Sequence, residues 1–260
     1  MAITPEELRV VEKRLNENNY FLQTSLIRTV QTSDLLVVSP VSDLSKGIME
    51  RFVAAGIRPV ESDGKTIYEG EEETVVVHPN GVIQVFFEPN KFLAENTVAL
   101  EERELTNLVA QFLNNYKLMP EGAQFDFIET VETGQIVVHY YQMFNNIPLF
   151  VGHLKVFIQL DHIYAIQLYW LYPIERTPKR EIEIISAADA LTNLIGELGF
   201  SNEPRQILQV ELGFFSGEYD AERWEVPPVW RIVMDDGQKY YINAFLGNLE
   251  QASVIPEQLP

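Results

Sequence analysis

The sequence predicts an α+β fold built from two units, each combining amphipathic helices with a mostly antiparallel sheet. Stretches with apolar residues at spacings of three and four alternate with runs rich in Val, Ile, Phe and Tyr. Short turns containing Gly, Asn or Asp connect successive runs, and such turns join strands in antiparallel hairpins. The order helix, strands, helix, strands therefore suggests a repeated helix-plus-sheet unit.

Two helices are predicted in the first part of the chain. Thr4 is a suitable N-cap for a helix that ends near Asn18, because its hydroxyl can accept a hydrogen bond from the first turn. Ser42 or Asp43 is expected to cap a second helix, and Gly56 to end it.

Short strands are predicted to complete an N-terminal α+β domain over residues 1–92. They are residues 35–38, 74–77 and 82–87. The dipeptide Asn80-Gly81 favours a hairpin between the last two strands. Glu88-Pro89-Asn90 is interpreted as a break, and the domain boundary is placed just after it.

A second α+β domain is predicted over residues 93–260. Its first helix covers residues 101–116, with acidic residues in the first turn, where the helix dipole favours them. A meander over residues 124–172 follows. Its strands are residues 124–131, 135–144, 149–160 and 163–172.

The last predicted part is a helix followed by a hairpin, over residues 186–249. Ser186 and Asp189 form a capping box, and Gly199 closes the helix. A strand is expected near residues 207–212, and residues 213–228 are predicted to be a loop. Residues 229–234 and 239–246 then flank the turn Asp235-Asp236-Gly237-Gln238.

The composition excludes several classes of function. The chain of 260 residues has 19 Lys and Arg against 38 Asp and Glu, a formal net charge of −19, and acids exceed bases in each third. Binding to nucleic acid or to an anionic membrane surface is disfavoured, since both would be repelled. With no cysteine, disulfides, thiolate catalysis and Cys-ligated metal are excluded.

Residue patterns that carry chemistry are missing from the sequence. Nucleophile motifs and glycine-rich phosphate loops are absent. His139 and His153 could ligate a metal if they faced each other on paired strands, but a third ligand is not evident. A hydrolase using two acidic residues across a cleft stays an alternative. No catalytic, cofactor-binding or metal-binding residue is assigned, and no cofactor is expected.

Aromatic residues are concentrated on the predicted meander. About half of the side chains of an alternating strand point away from the core, so an uncovered aromatic face could contact a partner. The candidate partner surface consists of Tyr141, Phe157, Tyr169 and Trp170. The alternative is that the helices at 101–116 and 186–199 cover this face.

Several segments resemble the extracytoplasmic domain of the YycI family. They are EEL through KRLNENN at residues 6–19, YYQ through IPLF at 140–150, ISAADA at 185–190, and WRI to YINAF at 230–245. These pieces fall in the order of the family and cover most of the chain. The helix SAADAL and the hairpin YYINAFLGNLE also resemble PepSY-type modules.

This resemblance implies a non-enzymatic regulator on the extracytoplasmic face of the membrane of Gram-positive bacteria. Family members associate with a sensor histidine kinase, WalK (also called YycG), and with YycH, and they modulate a two-component system that governs cell-wall metabolism. They are anchored by an N-terminal membrane helix, which these 260 residues do not contain. Homodimers or heterodimers are compatible with this role. The alternative is an extracytoplasmic module that binds a peptide or cell-wall ligand without a kinase role.

Overall fold

The computed structural model describes residues 4–26, 32–40, 43–131, 134–176, 182–217 and 221–250. Four α-helices and one short 3-10 helix lie in these ranges. They are α1 (Pro5–Glu17), α2 (Asp43–Ala54), the 3-10 helix (Thr97–Ala99), α3 (Glu102–Asn115) and α4 (Ala187–Leu198).

The strands of the described residues are mostly short in the first third of the chain and long in the middle. In chain order they are β1 (Tyr20–Leu22), β2 (Thr32–Ser33), β3 (Leu36–Ser39), β4 (Val60–Ser62), β5 (Lys65–Glu69), β6 (Glu73–Val77), β7 (Ile83–Phe92), β8 (Ala123–Val131), β9 (Gln135–Phe144), β10 (Ile147–Gln159), β11 (His162–Tyr169), β12 (Tyr172–Arg176), β13 (Ile182–Glu183), β14 (Arg205–Phe214), β15 (Trp224–Val226), β16 (Pro228–Met234) and β17 (Lys239–Asn243). The predicted α+β class is confirmed.

Local sequence signals fix the ends of the helices. In α1 the Thr4 hydroxyl accepts a hydrogen bond from the Glu7 amide while the Glu7 carboxylate accepts one from the Thr4 amide, and Ser186 and Asp189 repeat this capping box at α4. Gly199, at positive φ, ends α4 as predicted. The proposed cap Ser42 lies outside the described residues.

Contacts within the chain group it into two compact units. Unit 1 is drawn from Met1–Val37, Ile174–Glu218 and Glu225–Pro260, and unit 2 from Val38–Pro173 and Tyr219–Trp224. The boundary placed after residue 92 falls inside unit 2, so these units divide the chain differently from the domains of the sequence analysis. The division into domains at residues 1–92 and 93–260 stays a prediction.

Unit 1 has a four-stranded sheet in the order β17-β16-β14-β1. The strand β1 runs parallel to β14, and the other neighbours are antiparallel. The helices α1 and α4 pack on one face, where Val11 and Leu15 share a core with Leu191, Leu194 and Trp230. This arrangement contains the predicted helix-plus-hairpin of residues 186–249.

A buried charge lies on the opposite face of the unit 1 sheet. Arg231 is 1% exposed and pairs across strands β16 and β14 with Glu211. Its Nη2 lies 3.0 Å from a Glu211 carboxylate oxygen and donates to Gln209 Oε1 at 3.1 Å. Such a pair offsets its desolvation only while both partners remain in place.

Unit 2 has an eight-stranded antiparallel sheet in the order β8-β9-β10-β11-β7-β6-β5-β4. The helices α2 and α3 cover one face of it. Phe52 from α2 and Val109 and Phe112 from α3 join one core with Val138 and Val156 of the sheet. We call this the helix-covered face, and the opposite side the second face.

Two details of unit 2 differ from the sequence analysis. Strand β7 continues through Pro89, which was interpreted as a break. Pro89 falls between the pairs of β7 with β11 at Phe86 and at Lys91, where the ladder is interrupted, so its missing N–H costs no hydrogen bond there. The turn between β10 and β11 is Leu160-Asp161, one residue earlier than expected.

Candidate partner-binding surface

The second face of unit 2 is built by the alternation of side chains along three neighbouring strands. In the register of β9, β10 and β11, His153 lies between Tyr141 and Tyr169. Two positions further along β10, Lys155 takes the corresponding place, followed by Phe157. Tyr141, Phe157 and Tyr169 therefore lie on the same face.

The structure brings together three of the four aromatic residues of the candidate surface. Trp170, the fourth, belongs to the core of the helix-covered face. The exposed fractions are 0% for Tyr169, 6% for Trp170 and 7% for Phe157, whereas Tyr141 is half-buried. Tyr141 is therefore the most exposed of the four residues. The assignment of all four to a partner surface stays a prediction.

A row of polar side chains crosses the second face between β6 and β10. The His78 Nε2 lies 2.9 Å from Gln84 Oε1, and the Gln84 amide donates to Gln167 Oε1 at 3.4 Å. The Gln167 amide in turn lies 3.4 Å from His153 Nε2, and His153 Nδ1 lies 3.3 Å from the Val151 carbonyl oxygen. With Nδ1 as the donor of His153, each group donates to the next in one direction, an arrangement in which neighbouring hydrogen bonds polarise one another.

His153 is held in its neutral form within this row. Burial and the nearby charge of Lys155 lower the pKa of His153 to about 4, against a smaller opposing effect of its hydrogen bond to Val151. Neutral His153 can accept from Gln167 at Nε2. Protonation would remove that acceptor, so the row is intact only while His153 is uncharged.

Another histidine, His139 of β9, lies on the second face next to the edge strand β8. The ring of His139 stacks on Phe127 with centroids 4.1 Å apart, and its Nε2 lies 3.0 Å from a Glu129 carboxylate oxygen. In the register His139 pairs with Lys155, not with His153, so the two histidines do not face each other as the metal hypothesis required. Among the described residues, no three His, Asp or Glu side chains are placed to hold a metal ion.

A buried glutamine that no sequence motif marks shapes this end of the sheet. Gln142 is 5% exposed, and its amide donates to the Leu171 carbonyl oxygen at 2.8 Å while its Oε1 accepts from the Leu171 amide at 3.2 Å. Its side chain thus replaces a peptide group of a neighbouring strand. Gly152, in an irregular stretch of β10, makes room for it, because a Cβ there would lie 2.2 Å from Gln142 Oε1. In the sequence, this arrangement is indicated only by a glutamine and a glycine that stand within otherwise apolar strands.

No helix within the described ranges is long and apolar enough to cross a bilayer.

Comparisons with known proteins place this geometry in context. The model of a family described as "YycI protein" matches residues 2–245. The chain is also similar in fold to a crystal structure at 1.45 Å resolution of an uncharacterized protein from Eubacterium rectale ATCC 33656, with a TM-score of 0.53, 11% sequence identity, and coverage of 94% of this chain and 98% of that chain. No curated protein matches the sequence.

Proposed function

Because this chain belongs to the YycI family of regulatory proteins, we propose that it binds a membrane sensor histidine kinase of the WalK (YycG) type, together with a YycH-type partner. In this role it acts on the extracytoplasmic face, is tethered by an N-terminal membrane helix, and controls cell-wall metabolism. It performs no chemistry of its own. The observation that carries the proposal is the family membership, which extends over residues of both compact units.

Regulation by binding needs only a difference in affinity for two states of the kinase. A partner that binds one signalling state about tenfold more tightly shifts the equilibrium by about 1.4 kcal/mol. The half-buried residues of the second face, with fixed hydrogen bonds and aromatic rings, are suited to such selectivity, since a rigid surface fits one arrangement of a partner better than another.

Co-purification and kinase activity test this proposal together. The full-length protein is co-expressed with the WalK-type kinase and the YycH-type protein of its host, and the complex is reconstituted in liposomes. We expect the three proteins to co-purify and the autophosphorylation rate of the kinase to change on removal of this chain. A kinase that neither co-purifies nor changes its rate would refute the proposal.

A second candidate function, ligand binding without a kinase role, is favoured by the polar row from His78 to His153. Rows of oriented donors and acceptors beside aromatic rings suit peptides and glycans. Thermal-shift measurements with peptides and cell-wall fragments test it. A saturable rise in melting temperature in the absence of any protein partner supports this reading, and a flat response across the ligands counts against it.

A further inference from the structure

Three apolar side chains are exposed around one hairpin turn of unit 2. Phe92 at the end of β7 is 59% exposed, Val98 in the 3-10 helix is 53% exposed, and Leu160 in the turn between β10 and β11 is 60% exposed. We call these three residues the tip patch. Single exposed apolar residues are ordinary, but several at one place mark contact sites.

The tip patch is held in place by hydrogen bonds to the turn. Thr97, which is 1% exposed, donates from its hydroxyl to the Leu160 carbonyl oxygen and from its amide to Asp161 Oδ1 at 3.2 Å. The Phe92 ring meets the edge of His162, with centroids 5.6 Å apart. The side chains of the tip patch are therefore held on a fixed backbone, which lowers the entropy cost of binding a partner.

The backbone of Leu160 is unfavourable for a leucine. Its φ is 53°, in the left-handed region where a Cβ crowds the backbone. The preceding hairpin has the residues that such a turn prefers, Asn145 at 48° and Asn146 at 62°. Leu160 thus combines backbone strain with an apolar side chain in water. Neither feature benefits the fold, and such outliers are found where a function requires the side chain.

The sequence around the tip patch is acidic. Residues 92–102 contain three acids and no Lys or Arg, and Asp161 follows Leu160 in the turn itself. Lys91, the nearest base along the chain, is already paired with Glu72 at 2.6 Å. A second copy of this chain, with a net charge of −19, would be repelled, and so would an anionic bilayer. The complementary partner is positively charged.

We infer that the tip patch binds a segment of a partner protein in which a bulky apolar side chain is flanked by lysine or arginine. The apolar side chain covers Leu160 and its two neighbours, and the basic residues face the surrounding acids. This inference rests on the proposed function, because it names the surface through which a protein partner is held.

The test uses two matched synthetic peptides as probes. One has a phenylalanine flanked by lysines, and the other has the same phenylalanine flanked by glutamates. Binding to the 260-residue chain is followed by amide chemical shifts in NMR titrations. We expect the lysine peptide to shift resonances around Phe92, Val98 and Leu160, and the glutamate peptide to shift none. Leu160→Asn should weaken binding by about tenfold, since it removes most of one leucine contact.

Matched controls separate the patch from general attraction to an acidic protein. Leu246 is 77% exposed and Phe200 is 65% exposed, both in unit 1. Leu246→Asn should leave the affinity for the lysine peptide unchanged, and Phe92→Ser should weaken binding whereas Phe200→Ser should not. Equal binding by Leu160→Asn and the unchanged chain, or shifts spread over the whole surface, would overturn the inference. Self-association that Leu160→Asn abolishes would also overturn it, in favour of a second copy.

The full-length complex distinguishes a failure of this inference from a failure of the proposed function. If the unchanged chain does not co-purify with the kinase or the YycH-type protein, the proposed function fails. If the unchanged chain co-purifies and Leu160→Asn does so equally well, the proposed function stands and the tip patch is refuted. Loss of co-purification with Leu160→Asn but not with Leu246→Asn supports both.

Discussion

Replacing Gln142 with leucine removes a side chain that acts as part of the sheet. Its amide makes two hydrogen bonds with the backbone of Leu171, which is 1% exposed. Leucine has a similar volume but neither donor nor acceptor. The variant therefore leaves the amide and the carbonyl group of Leu171 buried without these partners.

The magnitude follows from the two groups that lose a partner. A buried polar group left unsatisfied costs about 1–3 kcal/mol, so Gln142→Leu, which leaves two such groups, should lower the free energy of unfolding by about 2–6 kcal/mol. A glutamine in water should not show this cost. Gln124 is an exposed residue of β8, and Gln124→Leu should change the free energy of unfolding by less than about 0.5 kcal/mol.

Urea unfolding followed by circular dichroism measures this difference, and native-state hydrogen exchange at the Leu171 amide localises it. Gly152→Ala is a second check, because the added Cβ would lie 2.2 Å from Gln142 Oε1 and displace it. Its cost should shrink by about 1 kcal/mol or more when Gln142 is already alanine. The reasoning is refuted if Gln142→Leu costs less than about 1 kcal/mol or no more than Gln124→Leu.

Three further substitutions have expected outcomes that unfolding measurements check. Burial holds the pKa of His153 near 4 in the folded chain, below its ordinary 6.5, so its contribution to stability is present above pH 6.5 and lost as pH falls toward 4. His153→Gln should therefore reduce the loss of unfolding free energy between pH 7 and pH 4.5 by on the order of 2 kcal/mol. Equal pH profiles of the variant and the unchanged chain would contradict this. Leu160→Asn should raise the free energy of unfolding by about 0.5–1 kcal/mol, because asparagine tolerates positive φ, and a destabilised variant would argue against strain. Glu211→Leu should cost about 2–4 kcal/mol, more than Arg231→Leu, because it removes the Glu211 carboxylate from beside a guanidinium that is 1% exposed. The reverse order would contradict the pairing argument.

The parts of the fold that the sequence predicts are those determined by neighbouring residues. The helices α1 and α4 were located by Thr4 and Ser186, whose caps depend on residues three positions away. Strand β1 was missed because it has three residues and its pairing with Arg205–Ile207 depends on a segment far along the chain. Strand β4 was missed because its three residues are all exposed and show no alternation.

The candidate surface could be predicted only in part, because the sequence gives the side of the sheet on which a residue lies but not its exposure. Alternation predicts that about half of the side chains of β9 and β10 point away from the core, and Tyr141 and Phe157 share the second face. Alternation gives the side of a residue but not its exposure, which depends on neighbours from other strands. The turn at Leu160 was assigned one residue late because a leucine reads as part of a strand, although it stands at positive φ.

The parallel pairing of β1 with β14 has a consequence for how the chain is made. The first helix and strand find their partners, α4 and β14, only after residue 186, whereas residues 38–173 supply almost all of unit 2. During synthesis the middle of the chain can fold while its beginning waits for nearly the whole polypeptide. Truncation near residue 173 would then leave Val11 and Leu15 exposed to solvent, an apolar surface that invites proteolysis or aggregation.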